Sequence, residues 1–146
     1  MLTFQKINSD KDFSVVTRNQ FVDFLYIQLG EFGDAPDAIQ KCIDYAFSSE
    51  SGKGGFCMIA FDEGVIVGGL IMNFTGMNSF IPPNILVYVA VDINQRGKGL
   101  GRQLIDHSVN QCQGSVALHV EYENPAKKLY ERLGFKSKYA EMRLNR

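Results

Sequence analysis

A glycine-rich segment between an apolar run and a helix-like stretch is the part of this chain most suggestive of chemistry. It reads Arg96-Gly97-Lys98-Gly99-Leu100-Gly101, and the apolar run before it spans residues 85–92. Glycines have no Cβ, so the backbone can bend tightly and approach a ligand closely. A helix that begins at such a bend directs unpaired N–H groups and a partial positive charge toward it. The segment therefore predicts a site for an anionic phosphate group.

The spacing of these glycines distinguishes three known phosphate-binding patterns. A Walker loop requires G-x-x-x-x-G-K-[ST], which neither Gly52-Lys53-Gly54 nor Gly97-Lys98-Gly99 completes, so nucleotide hydrolysis is disfavoured. A dinucleotide fingerprint requires glycine at the position of Arg102. The pattern that remains is R-x-x-G-x-G over residues 96–101. Taken alone, it is equally consistent with a purely structural bend between a strand and a helix.

A second motif lies further along the chain and narrows the choice. It reads Asn124-Pro125-Ala126-Lys127-Lys128-Leu129-Tyr130-Glu131-Arg132-Leu133-Gly134-Phe135. In this order and spacing the two motifs resemble those of the GNAT acetyltransferase superfamily, closely over residues 85–135 and loosely over the whole chain. The resemblance implies a single GNAT-like domain over residues 1–146, acetyl-CoA (coenzyme A) as cofactor and no metal. It also implies an α+β fold in three layers, with helices flanking a mixed, mostly antiparallel sheet whose central strands splay apart.

The resemblance assigns cofactor-binding roles to two segments and one side chain. In the family the bend binds the CoA pyrophosphate through backbone amides, which implies this role for Arg96, Gly97, Lys98, Gly99, Leu100 and Gly101, with Arg102 nearby. The preceding strand, with Val89, Ala90 and Val91, is expected to splay from the strand that carries Leu118 and Val120, and pantetheine is expected in that gap. Asn124 begins the second motif, where it caps a helix or also contacts pantetheine.

Acetyl transfer to an amine needs a neutral amine, a polarised carbonyl and a proton for the departing thiolate. Tyr130 matches the family tyrosine whose hydroxyl faces the CoA sulfur, and a phenol can donate that proton. The alternative is a core aromatic residue on an amphipathic helix, spaced like Leu129 and Leu133. Val89 or a neighbouring backbone amide is expected to polarise the thioester carbonyl.

The general base is less evident. Many family members carry Glu or His early in the strand before the bend, but residues 85–87 are all apolar. His119 falls where the base glutamate lies in acetyltransferases that act on ribosomal-protein amino termini, and an imidazole has an ordinary pKa of about 6.5. A structural histidine in a strand is the alternative. Glu121, on the same face by strand alternation, is a second candidate, and an ordered water could replace both.

These residues predict a cytoplasmic N-acetyltransferase that moves an acetyl group from acetyl-CoA to a primary amine, on a small molecule or a protein amino terminus. The alternative is a non-catalytic acyl-CoA-binding or regulatory module, which the missing carboxylate before the bend favours. The acceptor is expected near residues 30–35. This segment is either an ordinary polar loop or a set of carboxylates that binds a cationic amine. The short region after Phe135 predicts only a small lid over the acceptor. The sequence does not decide between a monomer and a homodimer.

Apolar periodicity and turn residues predict the elements that position these groups. Strands are predicted at residues 2–7, 56–61, 65–74, 85–91 and 116–123, with one or two more after residue 135. Helices are predicted from a cap at Asn8-Ser9-Asp10 to about residue 29, from Pro36, over residues 99–113 and from Asn124-Pro125 to residue 133. This order predicts an α+β sandwich around a mixed sheet.

Composition and charge agree with one soluble globular domain. The chain has 146 residues, 45% of them hydrophobic, and a net charge of −1, which gives no reason to expect nucleic acid as a partner. Residues 1–80 hold 5 Lys/Arg and 10 Asp/Glu, whereas residues 81–146 hold 10 and 6, so the bend lies in the basic half. Three widely spaced cysteines predict neither disulfides nor a zinc site, and no apolar window is long enough for export or membrane insertion.

Overall fold

Five β-strands form one sheet in the order β1-β2-β3-β4-β5, in a computed structural model that describes residues 1–146. The strands are β1 Leu2–Ile7, β2 Gly55–Asp62, β3 Val65–Phe74, β4 Asn84–Val91 and β5 Val116–Leu118. Strands β1 to β4 pair with their neighbours in antiparallel fashion, whereas β4 and β5 are parallel. The prediction of a mixed, mostly antiparallel sheet is therefore confirmed.

Four α-helices cover the two faces of the sheet. They are α1 Arg18–Leu29, α2 Pro36–Ala46, α3 Leu100–Val109 and α4 Ala126–Arg132. Helices α1 and α2 bury apolar side chains against one face, and α3 and α4 bury theirs against the other. Helix α2 shows the pattern, since Pro36 begins it and its buried residues recur at helical spacing, namely Ile39, Cys42, Ile43 and Ala46. The predicted three-layer α+β fold is confirmed.

None of these helices combines the length and hydropathy needed to cross a lipid bilayer. The longest, α1, has only 12 residues. All four instead bury one apolar stripe against the sheet.

The first helix begins later than the sequence predicts. The segment Asn8-Ser9-Asp10 leads only into a single 3-10 turn at Asp10–Asp12, and α1 begins at Arg18. Thr17 starts it through a capping box, because its Oγ1 accepts from the Gln20 N–H at 3.1 Å and its own N–H donates to Gln20 Oε1 at 2.9 Å. The two β-branched residues before Thr17, Val15 and Val16, disfavour an earlier start of the helix.

The predicted strands in the last third of the chain are also wrong in part. Strand β5 ends at Leu118 rather than at residue 123, and no strand forms after residue 135. Three apolar side chains of the terminal segment are more than four-fifths exposed, namely Tyr139, Met142 and Leu144. Because β5 offers an edge of only three residues, the alternating segment at residues 140–144 has no long partner with which to pair.

The parallel pairing of β4 and β5 covers only three residue pairs, Asn84 with Val116 through Leu86 with Leu118. Strand β4 continues to Val91, but no backbone hydrogen bond joins its residues 87–91 to residues 119–125. We call this gap between residues 87–91 and the chain after β5 the split. It confirms the expectation that the central strands splay apart.

A β-bulge in β4 coincides with the start of the split. Ile71 pairs with Tyr88 and Met72 pairs with Leu86, so Val87 is an extra residue in β4. A bulge bends its strand and changes the face to which side chains point. Val87 and Tyr88 consequently both pack into the α1/α2 layer, whereas Leu86 packs into the α3/α4 layer.

Asn84 secures the closed end of the split. Its side chain is buried, and its Nδ2 donates to the carbonyl oxygens of Gln113 at 2.7 Å and Ser115 at 3.1 Å. Both acceptors lie in the loop before β5, so one amide group joins the beginnings of the two parallel strands. The strands therefore separate at their far ends only.

Replacing Asn84 by alanine should lower the free energy of unfolding by about 2 kcal/mol, because a buried amide and its hydrogen bonds to two carbonyl oxygens are lost. The matched control is Asn110→Ala, in which an exposed amide is removed from the end of α3. Urea unfolding of both variants measures the difference. Equal stability of the two variants would contradict the role given to Asn84.

Candidate functional site

The unpaired edge of β4 is the centre of the candidate site. A strand edge presents a row of unpaired N–H and C=O groups, with which an extended ligand can pair. Val89, Ala90 and Val91 all lie along this edge, beyond the last pair with β5. The side chains of Val89 and Val91 pack into the α3/α4 layer, and that of Ala90 packs into the α1/α2 layer. On this side the backbone is thus left without a strand partner between the layers.

The bend between β4 and α3 is open and rich in free donors. Gly97 and Gly99 have φ angles of +80° and +79°, a left-handed conformation that favours glycine. A Cβ at either position would meet no protein atom within 4 Å, so the space beside both glycines is free. Helix α3 has no side-chain N-cap, and the N–H groups of Leu100, Gly101 and Arg102 have no acceptor in the protein. This arrangement suits a phosphate group.

The Arg96 side chain holds the bend in position. Its Nε donates to the Val91 carbonyl oxygen at 3.0 Å, and its Nη2 donates to that of Gln28 at 2.7 Å. Gln28 in turn accepts from the Ile93 N–H at 2.9 Å through its Oε1. These bonds connect the end of α1 to the segment before α3, so the Arg96 guanidinium is already engaged with the protein.

Two other cations of the bend are only weakly engaged. Lys98 Nζ donates to Gln95 Oε1 at 3.3 Å, and Arg102 Nε lies 3.9 Å from a carboxylate oxygen of Asp106. Ion pairs between exposed side chains contribute at most about 1 kcal/mol. Both Lys98 and Arg102 can therefore turn toward an anionic ligand at little cost.

Tyr130 combines a buried ring with a free hydroxyl. It is 8% exposed, and its ring packs edge-on against Phe135 with centroids 5.9 Å apart. The hydroxyl has no hydrogen-bond partner in the protein. It is not fully enclosed, since the one enclosed side-chain polar atom that lacks a partner is Asn73 Oδ1, so the Tyr130 hydroxyl keeps contact with solvent. Burial raises the pKa of Tyr130 to about 12, so the phenol stays protonated and able to donate.

The helix that carries Tyr130 packs directly against the bend. A Cβ on Gly101 would lie 3.3 Å from Leu129 Cδ2 and 3.7 Å from Val91 Cγ2. The absence of a side chain at Gly101 therefore allows α4 to approach both the start of α3 and the end of β4. This contact brings the two sequence motifs together in space.

Asn124 caps α4. Its Oδ1 accepts from the Ala126 N–H at 2.9 Å, and its carbonyl oxygen accepts from the Lys127 N–H at 3.0 Å. The capping half of the expected role is therefore present. The Nδ2 group makes no hydrogen bond within the protein and remains available to a ligand.

The two candidate bases follow β5, in the segment that borders the split. His119 is the first residue after β5, and both His119 and Glu121 are exposed. Neither side chain forms a hydrogen bond or ion pair with another residue. The strand alternation expected for these two residues does not apply, because the chain leaves the sheet at Leu118 and turns toward α4.

A hydrogen bond that the sequence does not predict joins the loop after α1 to the bulge in β4. The Tyr88 hydroxyl donates to Asp34 Oδ2 at 2.5 Å. Burial, followed by the hydrogen bond with Asp34, raises the pKa of Tyr88, so the phenol is the donor and the carboxylate is the acceptor. The one available signal is a hydroxyl-bearing residue within the otherwise aliphatic segment of residues 85–91.

Three solved structures share this fold over nearly the whole of both chains. The aminoglycoside N-acetyltransferase AAC(6')-Iy in complex with CoA is 19% identical, with a TM-score of 0.69 and coverage of 100% of this chain and 95% of that one. The ribosomal-protein-alanine N-acetyltransferase from Brucella melitensis is 15% identical, with a TM-score of 0.66 and 99% coverage of each chain. A transcriptional regulator from Bacillus halodurans is also 15% identical, with a TM-score of 0.67 and 99% coverage of each. At these identities the likeness establishes the fold.

The sequence itself matches a family model described as an acetyltransferase (GNAT) domain over residues 53–137. No curated protein sequence matches the chain. The matched span is more than half of the chain, and it includes the bulge, the split, the bend and α4. The chain therefore belongs to the GNAT acetyltransferase domain family.

Proposed function

We propose that this protein transfers an acetyl group from acetyl-CoA to a primary amine by direct attack, without a covalent enzyme intermediate. The observation that carries the proposal is the continuity of the unpaired edge of β4 with the donor-lined bend at the start of α3. A ligand with a diphosphate and an extended arm that contains amides suits this combination. The bend offers N–H groups to the anion, and the strand edge offers backbone partners to the arm.

The residues present fit this cofactor. Acetyl-CoA, when bound, supplies an acetyl group activated as a thioester. The N–H groups of residues 97–102 would hold its diphosphate, with Lys98 and Arg102 adding positive charge. Residues 89–91 would hold the arm through their backbone, and the free Nδ2 group of Asn124 would provide a further donor.

The remaining chemistry concerns two protons and one carbonyl. Overall, a C–N bond forms, the C–S bond of the thioester breaks, the acceptor nitrogen loses a proton and the departing sulfur gains one. We assign the proton for sulfur to the Tyr130 hydroxyl, which burial keeps neutral. A backbone N–H at Val89 or a neighbour polarises the carbonyl. His119 accepts the proton from nitrogen, with Glu121 as the second candidate.

Two of the similar structures support an amine acceptor. Both are N-acetyltransferases, one for aminoglycosides and one for a ribosomal-protein alanine. The acidic first half of the chain, which includes the loop at residues 30–35, also favours a cationic acceptor over an anionic one.

Gly99→Ala should weaken CoA binding by about tenfold, because an added methyl group crowds the bend and disturbs donors to the diphosphate. The matched control is Gly64→Ala in the β2–β3 turn, where φ is +77° and a Cβ likewise meets no atom within 4 Å. Both variants should lose about 1–2 kcal/mol of stability from left-handed strain. Calorimetric titration with CoA separates strain from binding, and equal CoA affinity in the two variants would count against the bend as the diphosphate site.

Tyr130→Phe should lower kcat by about 100-fold, because the sulfur loses its proton donor, while CoA affinity stays within a factor of about two. Tyr26→Phe, which alters a half-exposed tyrosine on α1, is the control. Release of the free CoA thiol in the presence of a panel of primary amines measures turnover. Full activity in Tyr130→Phe would remove this residue from the mechanism.

The same assay distinguishes the enzyme from a binding module. Because the pKa of Tyr130 is about 12, above the value of about 10.4 for a lysine-like amine, raising the pH to 10 should increase the rate as the acceptor loses its proton. CoA binding without acetylation of any amine in the panel would favour the regulatory module.

His119→Ala should lower kcat/KM at neutral pH by about 100-fold and change the pH–rate profile, because the acceptor of the amine proton is lost. The chain has one other histidine, His107, which stacks on Phe4 with ring centroids 3.9 Å apart. His107→Ala is therefore a matched control. An unchanged profile in His119→Ala would transfer the role to Glu121 or to water.

A further inference from the structure

The hydrogen bond between Tyr88 and Asp34 joins two segments that are 54 residues apart. Asp34 precedes α2, in the loop at residues 30–35, and Tyr88 follows the bulge in β4. The contact therefore fixes a carboxylate above the α1/α2 face of the sheet. No feature of the CoA-binding bend requires it.

The position of Tyr88 ties this carboxylate to the split. The last residue of β4 that pairs with β5 is Leu86, and Tyr88 lies two residues beyond it. The bulge at Val87 turns the Tyr88 side chain into the α1/α2 layer, whereas Tyr130 lies in the α3/α4 layer. Asp34 and Tyr130 are therefore associated with opposite faces of the sheet, and Tyr88, which holds Asp34, belongs to the part of β4 that borders the split.

Asp34 is accessible and incompletely partnered. The residue is exposed, its Oδ2 accepts from Tyr88, and its Oδ1 has no donor within the protein. Unlike a solvated loop carboxylate, it is held in one orientation by a tyrosine that is only 8% exposed. A fixed carboxylate with one free oxygen is a strong acceptor for a charged N–H donor.

Other polar groups lie near the pair. Cys42 of α2 accepts a hydrogen bond from Asn73 Nδ2 at 3.3 Å, and Asn73 Oδ1 is enclosed without a partner. Burial chiefly raises the pKa of Cys42 to about 12, so the thiol stays neutral, and the charge of Asp34 contributes in the same direction. The pKa of Arg143, in the terminal segment, is raised mainly by Glu141 and also by Asp34. The charge of Asp34 therefore also acts on this cation.

We propose that Asp34, oriented by Tyr88, binds a second ammonium group of the acceptor, and that the preferred acceptors are therefore short diamines rather than monoamines. This inference rests on the proposed acetyl transfer. One ammonium group bonds to Asp34 on the α1/α2 face, which directs the other amino group toward the split. Asp34 binds the acceptor, and Tyr88 is a positioning residue.

The test compares 1,4-diaminobutane with 1-aminobutane, which has the same chain length and one cation fewer. Binding is measured by NMR titration of the protein saturated with CoA, and turnover is measured by acetylation of each amine. Asp34→Asn keeps an oxygen for the Tyr88 hydroxyl and removes only the charge. Glu31→Gln removes another carboxylate from the same region and is the control.

The parent protein and Glu31→Gln should bind the diamine about tenfold more tightly than the monoamine, and Asp34→Asn should bind the two equally. In turnover the difference should appear in KM, and Asp34→Asn should raise the KM for the diamine toward that for the monoamine. Tyr88→Phe should lose part of the preference, because Asp34 is then free to rotate.

Turnover of both amines without a preference that depends on Asp34 would overturn the diamine site and support the transferase. Preferential diamine binding that is lost in Asp34→Asn, without acetylation of either amine, would support the site and contradict the transferase. An equal loss of diamine affinity in Glu31→Gln would also overturn the inference, since it would indicate a diffuse acidic surface rather than a fixed carboxylate.

Discussion

The short parallel pairing between β4 and β5 is the constraint on which the rest of this structure depends. Sheets normally satisfy their backbone groups with a neighbouring strand, and an open edge tends to recruit another chain. Here the pairing stops after three residues, and the open edge that follows lies inside the fold, between two helical layers. Asn84 secures the closed end, while Arg96 holds the chain beyond the open end. The gap is therefore framed by fixed contacts on both sides.

The two faces of the sheet divide the work that we propose. On the α3/α4 face, the bend supplies unpaired N–H groups and Gly101 lets the helix with Tyr130 pack against it. On the α1/α2 face, the bulge at Val87 turns Tyr88 toward the loop that carries Asp34. Basic residues predominate in the half of the chain that forms the first face, and acidic residues predominate in the other half. A negatively charged donor and a positively charged acceptor thus meet surfaces of suitable charge from opposite sides.

Features that depend on neighbouring residues could be predicted from the sequence, and features that depend on distant partners could not. The bend and the helix with Tyr130 are local, since glycines, a helix start and a proline all lie within a few residues. The bond between Tyr88 and Asp34 requires both a bulge and a partner 54 residues away, and neither leaves a periodic signal. The early end of β5 likewise depends on its short pairing with β4, so the predicted strand alternation does not extend to His119 and Glu121.

Hydrogen exchange of the backbone amides, with and without CoA, tests the central claim most directly, because it reports on the unpaired groups themselves. The account predicts that CoA protects amides in two separate segments, residues 87–91 along the edge of β4 and residues 97–102 at the bend. Strand β2, whose backbone pairs with neighbours on both sides, serves as the internal reference and should be unchanged. Binding of CoA with no added protection in either segment would contradict the claim that the split and the bend form the cofactor site.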